Sequence, residues 1–103
     1  MSPRTYPYPF PDAPAIVKVV LSDPADATVK GTRYASWELA EALNFVLAEG
    51  GRLVAEARSG LNETEGDEAV AAALPYMNAA HALFQYADHL AVAVATAKRQ
   101  ENA

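Results

Sequence analysis

Residues 36–61 alternate between apolar and polar side chains with the period of an amphipathic helix. One apolar set recurs every three or four positions and comprises Leu39, Leu43, Val46, Gly50, Leu53 and Ala57. A second set recurs every seven positions and comprises Ala40, Leu47, Val54 and Leu61. Because a helical turn holds about 3.6 residues, the two sets form one broad apolar face. The pattern predicts a helix over residues 36–60 that begins at a Ser36 N-cap and ends at Gly60.

A second helix is predicted over residues 65–101. Thr64 and Asp67 resemble a capping box at its start. Lys98 and Arg99 stand in its last turn, where the helix dipole favours basic side chains. Its predicted buried face comprises Ala73, Ala80, Leu83, Phe84, Ala87, Leu90, Ala91 and Val94.

Both predicted helices contain residues that disfavour helix. Gly50 and Gly51 each cost about 1 kcal/mol relative to alanine. We interpret Gly50 as a point where another backbone approaches closely, with a break in the helix as the alternative. Pro75 predicts a kink near residues 71–74, or a division into two helices.

The segment before the helices, residues 15–34, is predicted to form a β-hairpin. Residues 16–21 are mostly β-branched or apolar, which favours a strand. Turn-forming residues follow at 22–26, and residues 28–33 are predicted to return as a second strand. A two-stranded hairpin is marginal in water, so we expect it to pack on the helices or to pair with another chain.

Residues 1–14 form a distinct N-terminal arm that holds five of the seven prolines. Tyr6, Tyr8 and Phe10 alternate with prolines in this arm. Proline fixes φ and disfavours helix in the residue before it, so the arm is predicted to be extended, near polyproline II. Such a segment loses little entropy on binding, and we expect it to dock on a neighbouring subunit or a larger partner.

Together these elements predict an α+β fold that is mostly α. The arm precedes one small domain over residues 15–103, in which the β-hairpin is followed by an antiparallel helical hairpin. Two helices bury one apolar stripe against each other, and the rest of their apolar surface remains exposed. We therefore expect the chain to dimerise into a four-helix arrangement.

Composition excludes several classes of function. The 103 residues carry a net charge of −5, which argues against a general nucleic-acid binder because phosphate contacts need a basic patch. The absence of cysteine excludes a thiolate zinc site and a thiol nucleophile. The start of the sequence lacks the pattern of a secretory signal, and no apolar run approaches the roughly 20 residues of a membrane span. We expect a cytoplasmic protein that needs no cofactor.

The candidate partner-binding residues are aromatic. Trp37 and Phe45 fall outside the apolar stripe of the first helix, and the arm adds Tyr6, Tyr8 and Phe10. Trp and Phe are favoured anchors of protein interfaces, and self-association is the commonest kind of interface. With no catalytic motif in the sequence, this pattern favours a non-enzymatic interaction module, such as a small subunit, an adaptor or an assembly factor.

Two alternatives belong to other classes. His81, Gln85 and His89 follow one another at intervals of four, with Asp88 adjacent, and such side chains on one helical face can hold a divalent metal. The chain would then be a metal- or small-ligand-binding homo-oligomer, and could be an enzyme. The further alternative is an acidic inhibitor that occupies the basic surface of a nucleic-acid-binding protein, which the net charge permits.

Overall fold

The computed structural model describes residues 12–23, 27 and 33–103. Three α-helices are assigned over these ranges: α1 (Ala15–Leu21), α2 (Ser36–Glu63) and α3 (Asp67–Glu101). A short turn joins α2 to α3, and the two helices contact each other along their lengths. They form the predicted antiparallel helical hairpin, and α1 packs against α2.

The predicted β-hairpin over residues 15–34, and with it the α+β class, is wrong. Residues 15–21 form α1, and the described residues contain no strand. Val17, Val20 and Leu21 are all buried, and their three-and-four spacing places them on one face of a helix rather than of a strand. Burial of that face outweighs the slightly lower helix propensity of β-branched residues. Apart from Arg33, the predicted second strand lies outside the described residues.

The end of the predicted arm belongs to the folded domain. Ala13 is buried, and Pro14 is the N-cap of α1, with its carbonyl accepting the Lys18 backbone N–H at 3.0 Å. Residues 1–11 lie outside the described residues.

A close contact between α2 and α3 explains the glycine in the middle of α2. A Cβ at Gly50 would lie 2.6 Å from Cε1 of Phe84, so the aromatic ring occupies the space that a side chain would need. The prediction that another backbone approaches Gly50 is wrong, because the neighbour is the side chain of Phe84. α2 continues through Gly50 and Gly51, so the predicted break does not occur.

The predicted helix ends near the turn are wrong. Gly60 does not end α2, which continues to Glu63. A Cβ at Gly60 would lie 3.3 Å from the carbonyl carbon and Cβ of Ala72, so this glycine lets the two helices approach. The N-cap position of α3 is Gly66, whose φ of 62° favours glycine. The Thr64 hydroxyl donates to the Gly60 carbonyl at 2.6 Å instead of capping α3.

Pro75 does not divide α3. The helix is continuous from Asp67 to Glu101, and Pro75 is exposed. Proline removes one backbone hydrogen bond from a helix. The packing of α3 against α2 on both sides of this position outweighs that loss.

The far end of the hairpin is closed by a hydrogen-bonded link between the first turn of α2 and the last turn of α3. Ala35, and not the predicted Ser36, is the N-cap of α2, and its N–H donates to Glu38 Oε1 at 2.8 Å. The Ser36 N–H and Oγ donate to the two carboxylate oxygens of Glu101 at 2.9 and 2.7 Å. These hydrogen bonds, the backbone one first, lower the pKa of Glu101 from its ordinary 4.5 because they favour the charged carboxylate.

Replacing each of the paired glycines with alanine should separate packing from helix propensity. Gly51→Ala should raise the free energy of unfolding by about 0.5–1 kcal/mol, because no atom lies within 4 Å of the new Cβ. Gly50→Ala should be less stable than Gly51→Ala by about 1 kcal/mol or more, because the Phe84 ring must move. Urea denaturation measures both values. In a Phe84→Ala background Gly50→Ala should become stabilising, and equal effects of the two glycine changes would contradict the ring contact.

The Glu101 link should make stability depend on pH in the acid range. Because the folded pKa lies below the unfolded one, the stabilisation is complete above about 4.5 and is lost as the pH falls through the lowered folded pKa. Glu101→Gln should reduce this loss, as measured by denaturation at a series of pH values. The control is Glu56→Gln, at an exposed position of α2. Indistinguishable pH profiles for wild type and Glu101→Gln would contradict the link.

Candidate functional site

The structure separates the aromatic residues that the sequence proposed as one partner-binding set. Trp37 exposes 61% of its surface and points away from the buried stripe of α2, at roughly 100° of rotation per residue. Phe45 is partly buried and packs against the core. The two side chains therefore do not share a surface. Tyr6, Tyr8 and Phe10 lie outside the described residues.

The polar residues of the metal-binding alternative all lie exposed on α3. They are His81, Gln85, Asp88 and His89. The described part of the chain contains no group of three or more His, Cys, Asp or Glu side chains that could hold a metal ion.

A different set of exposed residues forms two apolar rows along the hairpin. On α2 the row is Leu47, Val54 and Leu61, and on α3 it is Val70, Met77 and Phe84. The members of each row are seven residues apart, which is close to two helical turns, so each row runs nearly parallel to its helix. The six side chains expose between 37 and 57% of their surface.

The two rows lie on the same side of the hairpin. The row on α2 is displaced by roughly 80° from the buried stripe of that helix, toward the side of Gly50. The row on α3 contains Phe84, whose ring lies against Gly50. In an antiparallel pair the rows therefore border one groove. Together with Leu74, which is 46% exposed beside them, they are called the apolar face below.

The opposite side of the hairpin is the one on which α1 packs. The α3 residues Tyr86 and Ala93 point to that side, and they share one core cluster with Val17 and Val20 of α1. Phe45 of α2 also points to that side and packs against the same cluster. The hairpin thus has one covered side and one side, the apolar face, whose large side chains are well exposed.

The positions between the two rows are small or apolar. By helical position they are Leu43, Gly50, Ala57, Ala73, Ala80 and Ala91. Charged residues such as Arg58 and Asp88 stand at the outer edges of the face, where both are exposed. An apolar centre with a polar rim is typical of a surface that binds another protein.

The sequence pattern assigns most members of the apolar face to the buried faces of the two helices. The α2 row and Phe84 were both predicted to be core. The width of the apolar pattern could have distinguished these exposed residues from the core. The two apolar sets of α2 together span a wider stripe than one neighbouring helix covers. The row of seven-residue steps beside the main stripe marks the part left uncovered.

A concave region of about 340 Å³ lies at the other end of the hairpin. It is lined by Arg33, Tyr34, Ala35, Glu38, Ala97, Gln100 and Glu101. Its carboxylates already accept hydrogen bonds from the start of α2, namely Glu38 from Ala35 and Glu101 from Ser36. This region therefore holds the helix ends together.

Comparison with protein-family models, with curated proteins and with solved structures finds no match for this chain. Among the described helices none is both long enough and apolar enough to cross a membrane.

Two aromatic substitutions should distinguish a structural side chain from an exposed one. Phe45→Ala should lower the free energy of unfolding by about 2 kcal/mol, because Phe45 packs against the core. Trp37→Ala should change it by less than about 0.5 kcal/mol, because the indole is mostly exposed. Urea denaturation of both variants measures this difference, and a larger loss for Trp37→Ala would contradict the placement.

Proposed function

We propose that this chain is a non-enzymatic protein–protein interaction module, such as a small subunit, an adaptor or an assembly factor, and that it docks through the apolar face. The observation that carries the proposal is the pair of apolar rows on one side of the hairpin, opposite α1. Exposed apolar side chains that adjoin one another and have a polar rim mark interaction sites, whereas scattered ones do not.

The size of the apolar face supports binding to a partner that is also apolar. Seven side chains at these exposures present roughly 600 Å², which corresponds to about 15 kcal/mol of gross hydrophobic stabilisation when buried. Association costs about 4–15 kcal/mol in lost translational and rotational freedom. The face therefore supports specific binding when the partner contributes matching apolar surface.

The N-terminal arm and Trp37 are proposed as additional contacts. The alternation of Tyr6, Tyr8 and Phe10 with prolines supports the arm as a docking segment. A deletion that tests it must stop at residue 11, because Ala13 is buried and the Pro14 carbonyl accepts the Lys18 N–H of α1.

Site-specific photocrosslinking tests the proposed docking surface. A photoreactive phenylalanine analogue at Leu47 or Met77, in cells of the native host, should give crosslinks to protein that mass spectrometry identifies. The control position is Val92, which is 63% exposed on α3 and lies about 12 Å along the helix beyond Phe84, outside the length of the two rows. The same chain without residues 1–11 should give weaker crosslinks if the arm contributes. Crosslinks at Leu47 and Met77 no stronger than those at Val92 would contradict the proposal.

A further inference from the structure

We infer that the occupant of the apolar face is a second copy of this chain. The inference rests on the proposed function, because it names the partner of the same docking surface. A two-fold dimer needs a surface that is complementary to itself. The spacing, the area and the charge of the apolar face all meet that requirement.

The spacing of the two rows is symmetric about their central residues. Val54 lies midway between Leu47 and Leu61, with steps of about 10 Å along the helix axis. A second hairpin, rotated by 180° about an axis perpendicular to the helices, would place its Leu61 against Leu47 of the first copy. Its Val54 would lie against Val54 of the first copy.

The row on α3 has the same symmetry. Met77 would meet the second copy's Met77, and Val70 would meet the second copy's Phe84. This arrangement sets a small side chain opposite a large one, which allows the two surfaces to interlock.

The exposed area is close to what a stable dimer requires. The roughly 600 Å² of the seven apolar side chains is about three quarters of the roughly 800 Å² that each partner buries in a standard-size interface. The residues between and beside the rows supply the remainder. A larger partner is not needed to cover the face.

The charge distribution also favours an apolar contact between like copies. Each chain has a net charge of −5, but the charged residues stand outside the two rows, so the centre of the contact is apolar. Two acidic copies repel weakly at long range, and salt screens that repulsion. A dimer held by this face should therefore keep or gain affinity as the salt concentration rises, whereas a complex with a basic partner would weaken.

Sedimentation equilibrium of the purified full-length chain tests the inference. The wild type should reach twice its chain mass of 11.0 kDa, with dimerisation as strong or stronger at high salt. Val54→Glu and Met77→Glu should each weaken dimerisation at least tenfold, and Val92→Glu should not. Circular dichroism should report unchanged helix content in all three variants, because all three positions are exposed in the single chain.

A cysteine variant tests the same contact in the wild-type fold. The chain contains no cysteine, so Val54→Cys introduces a single thiol. A short bismaleimide should link Val54→Cys into a covalent dimer and leave Val92→Cys unlinked.

Specific results would overturn the inference. A wild-type chain that stays monomeric at all concentrations rules out the second copy, while photocrosslinks from the apolar face to another protein would preserve the proposed function. A dimer that withstands Val54→Glu and Met77→Glu, or that Val92→Glu disrupts equally, rules out this face as the contact.

Discussion

The close approach of α2 and α3 determines which side chains this protein buries and which it presents. Gly50 lies under the Phe84 ring, and Gly60 lies against Ala72, so the two helices meet where one of them has no side chain. Near the turn the residues between the helices are small, among them Ala57, Ala73 and Ala80. Near the turn, helices packed this closely leave room between them for small side chains only, whereas farther from the turn Leu39, Leu83 and Leu90 are fully buried.

The two ends of the hairpin are built differently. At the end away from the turn, α1 covers one side of the hairpin with Val17, Val20 and Leu21. At the same end, Ser36 in the first turn of α2 donates hydrogen bonds to Glu101 in the last turn of α3. Near the turn Val70, Leu74 and Met77 of α3 remain exposed. A single short helix can cover only part of a hairpin whose helices have 28 and 35 residues. The proposed docking surface lies on the side of the hairpin opposite α1.

The sequence predicted α2 and α3 well because long apolar patterns with a helical period leave little ambiguity. It failed at α1, where a short run of β-branched residues fits a strand or a helix and only burial decides. The hydrogen bonds from Ser36 to Glu101 could not be predicted either, because the two residues are 65 positions apart in the sequence. Leu47 and Phe84 were predicted to be core, since a sequence pattern marks apolar positions without showing how many neighbours cover them.

In the proposed dimer the apolar face of one chain contacts the same face of a second copy. An isotope-filtered NOE experiment on a mixture of labelled and unlabelled chains detects contacts between copies and no others. We expect intermolecular NOEs from the methyl groups of Leu47, Val54 and Met77, and from Val70 to the aromatic ring of Phe84. Intermolecular NOEs confined to Trp37 or Val92, or none at concentrations where the chain is dimeric, would contradict it.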